Sequence, residues 1–316
     1  MRRLRNEVHG FSLPPLLEPH TVPGPECSHF FESEAHGTVL DYFSLQEWLG
    51  EIRPEAAVHF AAQPLVGTSQ KKRSETFQTN VVGTLNFLRA VENTASIKFA
   101  LVITTDKVYF PAIGRRHVES DQLGGVEPYS QSKAVADFLT QEWAKSSTKA
   151  WGIARAGNII GYGDQSPGRL LPDIARSFHT NEPLVIRNPS HVRPWQHVLE
   201  CVSAYHQILE YLSQDNTPSS CEVFNVGPEA SESFSVSDVI GKASEIIELD
   251  VRTASKTQDF LETPELQLSS RKIAELLDWE PKLSFAESIT WTLSPLKNPK
   301  SVSEVIEDQV DRYLSL

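Results

Sequence analysis

Basic residues are in short supply in this 316-residue chain: 29 lysines and arginines stand against 41 aspartates and glutamates, a formal net charge of −12. That balance excludes a broad nucleic-acid-binding face, although a few local arginines suffice for one small phosphate group. Cysteines are as scarce. Cys27, Cys201 and Cys221 are an odd number without zinc-like or redox spacing, which points to free thiols in a reducing compartment, by default the cytosol. No segment is long and apolar enough to span a membrane. The basic start "MRRLRNEVHGFSLPP" runs into charged residues and two prolines where a secretory leader would be apolar, so none is expected. Repeats and low-complexity tracts are missing too. Sixteen glycines are present, yet no strand, glycine-rich turn and helix follow one another. The nearest approach, Gly161-Tyr162-Gly163, has Ser166 in place of a third glycine and follows the wrong strand.

What is present is alternation. "EVHGFSL" (7–13) reads as a strand, "FSLQEWLGEI" (43–52) as a short helix and "AAVHFAA" (56–62) as a buried strand. A longer helix begins near Ser74, with Phe77, Val81, Leu85 and Leu88 on one face. The apolar run "IKFALVITT" (97–105) is the next strand, followed by a helix over 129–145 and a strand over 150–157. Strand, helix, strand repeated in this way predicts right-handed crossovers and an α/β fold with a parallel sheet. The second half is less regular, with helices at 198–213 and 269–277. Two units are expected: 1–160 carrying the sheet, and 161–316 as a smaller substrate-facing domain interleaved with it.

The polar end of the run over 97–105 draws attention to chemistry. Thr104-Thr105-Asp106-Lys107 stands where strand carboxyl ends line the ligand crevice of a parallel sheet. Tyr129 and Lys133 lie four apart on one helix face, where an ammonium beside the phenol lowers its pKa toward acid–base range. Such a pair alone is common on solvated helices. Together with Thr-Thr-Asp-Lys it is specific.

That combination resembles the extended short-chain dehydrogenase/reductase family, and within it the CDP-glucose 4,6-dehydratase group. The resembling stretches are "HFAAQPLV" (59–66), "TNVVGTLN" (79–86), "TTDKVY" (104–109), "ESDQLGGVEPYSQSKA" (119–134), "ARAGNIIGYGD" (154–164), "RLLPDIAR" (169–176), "IRNPSHVRPWQHVLE" (186–200) and "FNVGPE" (224–229). They run from about Glu7 to about Trp291. The resemblance implies a Rossmann-like doubly wound sheet and an internal redox cycle. NAD takes hydride from C4 of the glucose, water leaves across C5 and C6, and hydride returns to C6. It makes Tyr129 the base for the C4 hydroxyl, Lys133 the partner of the nicotinamide ribose, Thr105 a sugar hydrogen-bonding group and Asp106 the acid that protonates the departing C6 hydroxyl. Lys107 takes the place of a carboxylate base in sister enzymes, and acts either as a neutral amine after burial or as an electrostatic stabiliser. Ser12, Ala61, Ala62, Gln63 and Asn80 complete the expected cofactor contacts. Asn158, Arg169, Arg187, Arg193 and Glu262 are the expected substrate contacts, the arginines suiting a pyrophosphate. Two helices, 74–93 and 129–145, would form a homodimer contact through residues such as Leu88 and Phe138.

Three departures shape the expectations. Leu261 and Ser269 replace a histidine and an aspartate of the pattern near Glu262. The strand over 7–13 ends on Ser12 rather than an acid, so nothing there selects NAD over NADP. The glycine-rich unit is missing, so the strand over 7–13 corresponds to the second strand of the fold, and a central strand, between it and the one over 97–105, is expected to be absent. A chain starting at Met1 is then expected to be poorly stable and to bind no dinucleotide. Two other functions remain compatible with the residues: a non-catalytic relative that binds a partner, and a nucleotide-sugar 4-epimerase, which has no use for the Asp-Lys pair.

Overall fold

The computed structural model describes residues 6–14, 25–214, 221–228, 233–254, 263–298 and 300–316. Its centre is a four-stranded, wholly parallel sheet. β3 (Ala56–His59) pairs with β4 (Phe99–Thr105), β4 with β5 (Ala150–Ala156), and β5 with the strand Glu222–Val226, which comes from the second half of the chain. All seven residues of β4 are buried, as expected of a central strand covered on both faces. Its side chains alternate between two cores. Phe99, Leu101 and Ile103 pack with Cys201, Tyr205 and Ile208, while Ala100 and Val102 pack with Leu45, Leu49, Phe87 and Leu88.

β1 (His9–Ser12) and β2 (Ser33–His36) form a separate parallel pair. Among the described residues no ladder joins β1 to β3, so the sheet is split. The expected place of the split needs correcting: the strand at the open edge is β3, not β4, because β4 is already paired on both sides. β2 has no counterpart in the sequence reading.

The helices begin where side-chain caps satisfy their first amides. Asp41 caps α1 (Tyr42–Ile52), accepting from the amides of Phe43 and Ser44. The helix expected from Ser74 is present as one continuous run: α3 (Arg73–Phe77) passes through a widened turn over Gln78–Val82 into α4 (Gly83–Glu92), with a short α2 (Val66–Lys71) before it. Then come α5 (Pro128–Ala144), α6 (Leu170–Thr180) and α7 (Val198–Leu212). β6 (Asn158–Ile160) leaves the end of β5 and pairs with the strand Trp195–His197. Around it a third core gathers Leu171, Ile174, Trp195, Val239 and Ile289. No helix among the described residues is long and apolar enough to cross a membrane. Cys201 and Cys221 are free thiols, as expected.

Candidate active site

The carboxyl end of β4 builds half of the site. Thr105 accepts from the Lys107 amide at 3.3 Å, starting a short turn over Asp106–Val108, and its hydroxyl donates to Asp106 Oδ1 at 2.9 Å. Asp106 is thereby folded inward and is only 1% exposed. Its Oδ2 has no hydrogen-bond partner. Burial raises its pKa, against the opposing charges of Lys107 and Arg193 and the Thr105 hydrogen bond. Lys107 is half-buried at the cavity wall.

α5 supplies the other half. Glu127 is buried just before the helix, and its carboxylate accepts from the amides of Tyr129 (2.7 Å) and Ser130 (2.9 Å), while the Glu127 amide donates to Ser130 Oγ at 3.1 Å. Pro128 at the first helical position has no amide to leave unsatisfied. This start fixes Tyr129. Burial pushes the Tyr129 phenol up to about 12, opposed by a hydrogen bond with Thr105 and by the charge of Arg169. One turn on, Lys133 is buried and donates from Nζ to the Ile103 carbonyl at 2.6 Å. Burial brings its pKa down to about 8, with the charge of Asp137 pulling the other way.

Both halves open into a cavity of about 720 Å³. Of the residues singled out in the sequence, Ala62, Thr105, Asp106, Lys107, Tyr129, Lys133, Asn158, Arg169, Arg187 and Arg193 line it. Ser12, Ala61, Gln63 and Asn80 do not, and Glu262 lies outside the described residues. Ser12 spends its hydroxyl on the Leu13 carbonyl at 3.1 Å. Asn80 is consumed structurally: its side chain accepts from the Gln63 amide at 2.7 Å and donates to the Gln63 carbonyl and to Ser132 Oγ, tying the loop after β3 to α5. Two of the three arginines expected at a pyrophosphate also act on the candidate acid–base groups. Arg193, 6% exposed, works on Asp106 and Arg169 on Tyr129.

Six cationic side chains (Lys71, Lys107, Lys133, Arg169, Arg187 and Arg193) line the cavity against three aspartates (Asp106, Asp164 and Asp173). A protein of net charge −12 thus carries a locally positive pocket, the condition for holding a phosphorylated ligand. Sequence reasoning missed the supports of this site. Ser69, fully buried, donates to Glu127 Oε2 and accepts from the Tyr129 amide, both at 3.2 Å. Asp137 and Arg155 form a fully enclosed ion pair behind Lys133. Only Asp137 gave a signal, four residues after Lys133 on the same helix face.

Residues 29–292 match the family model described as GDP-mannose 4,6 dehydratase. A CDP-glucose 4,6-dehydratase of Salmonella typhimurium is 35% identical, over 87% of this chain and 81% of its own. A dTDP-D-glucose 4,6-dehydratase of Homo sapiens is 26% identical over 80% of this chain and 73% of its own. Among solved structures, a UDP-glucuronic acid 4-epimerase from Bacillus cereus, in complex with UDP-glucuronic acid and NAD, superposes with a TM-score of 0.80 at 18% identity, covering 95% of this chain and 93% of that one. That likeness makes the fold Rossmann-like, its parallel sheet being the one described above. With its dehydratase motifs gathered at one sheet end and the match spanning most of its length, the chain belongs to the GDP-mannose 4,6-dehydratase family of nucleotide-sugar enzymes.

Proposed function

We propose that the protein converts CDP-glucose to CDP-4-keto-6-deoxyglucose. Asp106 carries the reading. A buried carboxyl with a raised pKa and a free Oδ2 is built to hold a proton and release it, as loss of the C6 hydroxyl requires. An epimerase has no such step. Tyr129 takes the proton of the C4 hydroxyl, with Thr105 and Arg169 easing formation of the phenolate. Lys107 keeps contact with water, which favours its electrostatic role: it stabilises the negative charge that develops as the C5 proton passes to a water molecule. Arg187, Arg193 and Arg169 provide the positive wall for the pyrophosphate, and Asn158 a sugar contact. The relative from Salmonella supports cytidine as the base.

The residues fit the nicotinamide-ribose end of NAD, where the buried Lys133 donor and Tyr129 share one wall of the cavity. No glycine-rich strand, turn and helix lies among the described residues to cradle its pyrophosphate. NAD, when bound, would take up the C4 hydride and return it to C6. Asp106→Asn should leave cofactor reduction detectable in a single turnover while abolishing the 4-keto-6-deoxy product, and Tyr129→Phe should block both. Product from Asp106→Asn at near wild-type rate would remove Asp106 as the acid.

We also propose a homodimer through α5 and the turn before α4. Leu88 cannot contribute, being fully buried within its own subunit, but Phe138 (59% exposed), Val135 and Val82 are open to solvent. Phe138→Glu should sediment as a monomer beside a dimeric wild type. Identical sedimentation of the two would contradict this contact.

A further inference from the structure

Behind the cavity wall, Asp137 on α5 and Arg155 on β5 are 0% and 1% exposed, and neither lines the cavity itself. Asp137 accepts from Arg155 Nε (2.8 Å) and Nη2 (2.7 Å), from Thr104 Oγ1 (3.0 Å) and from Gln141 Nε2 (2.7 Å). The remaining Arg155 nitrogen, Nη1, donates to the Tyr109 hydroxyl and the Glu119 carbonyl, both at 2.9 Å, and Tyr109 passes the chain to Asn225 Oδ1 at 2.5 Å. One pair therefore joins β4, β5, α5 and the strand Glu222–Val226.

Enclosed ion pairs are weak stabilisers. Desolvating two charges consumes most of their attraction, and apolar residues of similar size generally serve stability as well or better. The pair's placement offers another reason for it. Lys133 and Asp137 are one helical turn apart on the same face, and both are tethered to consecutive residues of β4: Lys133 to the Ile103 carbonyl and Asp137 to the Thr104 hydroxyl. The next two residues are Thr105 and Asp106. The titratable groups that interact with Lys133 are Asp137 on its own helix and His59 from β3, with Tyr129 one turn before it on the helix. Burial, reinforced by the charge of Lys133, holds His59 neutral, and burial favours the neutral form of Asp106. Asp137 is thus the carboxylate that offsets the burial of the lysine.

We propose that Asp137, held by Arg155, is a positioning residue: it fixes the helix face carrying Tyr129 and Lys133 against β4 and places its carboxyl group one turn from the buried Lys133. The inference rests on Tyr129 and Lys133 being the catalytic pair, but its test does not need turnover. Nuclear magnetic resonance of isotope-labelled lysine ε-nitrogens, with the Lys133 signal assigned through Lys133→Met, reads the titration of Lys133 directly. The informative variant is Asp137→Leu combined with Arg155→Met, which removes both charges without stranding either. Its titration midpoint should fall by about one unit, a tenfold loss of proton affinity, while thermal melting stays cooperative. Arg155→Lys alone, which keeps both Asp137 and a cation beside it, should retain the wild-type midpoint. An unmoved Lys133 midpoint in the folded double variant would overturn the proposal. Absence of dehydratase turnover would leave it intact and count against the function instead.

Discussion

His59 and His197 are buried where an imidazolium has no carboxylate to meet. Burial, with the charge of Lys133 added, holds His59 at about 3, and burial holds His197 at about 4. His59 stacks on Phe87 and bonds Thr84 Oγ1 at 3.1 Å, and His197 caps the start of α7 through Nδ1. Both stay neutral in the fold, whereas the unfolded chain binds protons at the ordinary value near 6.5. The unfolded state therefore holds more protons between about 6.5 and about 3 to 4, and stability falls as pH drops through that window. Asp106, with a raised pKa, works in the opposite sense and offsets part of the loss. Between pH 7 and pH 5 we expect a loss of roughly 2 kcal/mol for each histidine at most, read by denaturant unfolding and reduced in His59→Asn. A flat profile over that range would show that these imidazoles find partners on protonation. Neither histidine was legible as special in the sequence, because a histidine's burial is decided by chain packed around it from far away.

The start of α5 is the element on which the proposed chemistry depends. The Glu127 carboxylate holds two helix amides and the Ser69 hydroxyl, and Gly125 runs so close to α5 that a Cβ there would lie 2.4 Å from the Ser130 carbonyl carbon. Glu127→Ala should cost about 1–2 kcal/mol, as loss of a helix cap does. It should also cost ten- to a hundredfold in kcat by letting Tyr129 drift. Thermal melting and steady-state rates check both, and a variant that loses stability but no rate would separate the cap from the catalytic geometry. Elements with strong local signals were readable: 129–145 became Pro128–Ala144, and 198–213 became Val198–Leu212. α6 was missed because the proline- and arginine-rich stretch 167–197 that contains it suggested irregular chain. Yet Pro172 occupies the first helical turn, where no amide partner is lost. The helices Val236–Ile246 and Phe285–Leu293 were missed despite capping boxes, Ser235 with Asp238 and Ser284 with Glu287, that the sequence displays.

At the scale of the molecule, what the sequence conveys least is which strands are neighbours. β3 is four residues long and reads much like any short apolar run. Only its pairing with β4 shows that the open edge of the sheet belongs to it. The end of the sheet proposed as catalytic was legible because its residues stand close together in sequence, Thr105-Asp106-Lys107 in one turn and Tyr129 with Lys133 in another. The Asp137–Arg155 support was not, since its partners are 18 residues apart and meet only through the β4–α5–β5 crossover. All of these parts converge on one claim, that the pocket removes water from a nucleotide sugar and shifts hydrogen from C4 to C6. The most direct test supplies the protein with CDP-glucose carrying deuterium at C4 and NAD in large excess, followed by mass spectrometry and nuclear magnetic resonance of the product. The account predicts a product lighter by one water with the deuterium now on C6. A product of unchanged mass, with deuterium still on C4 and the hydroxyl there inverted, would contradict it and make the protein an epimerase.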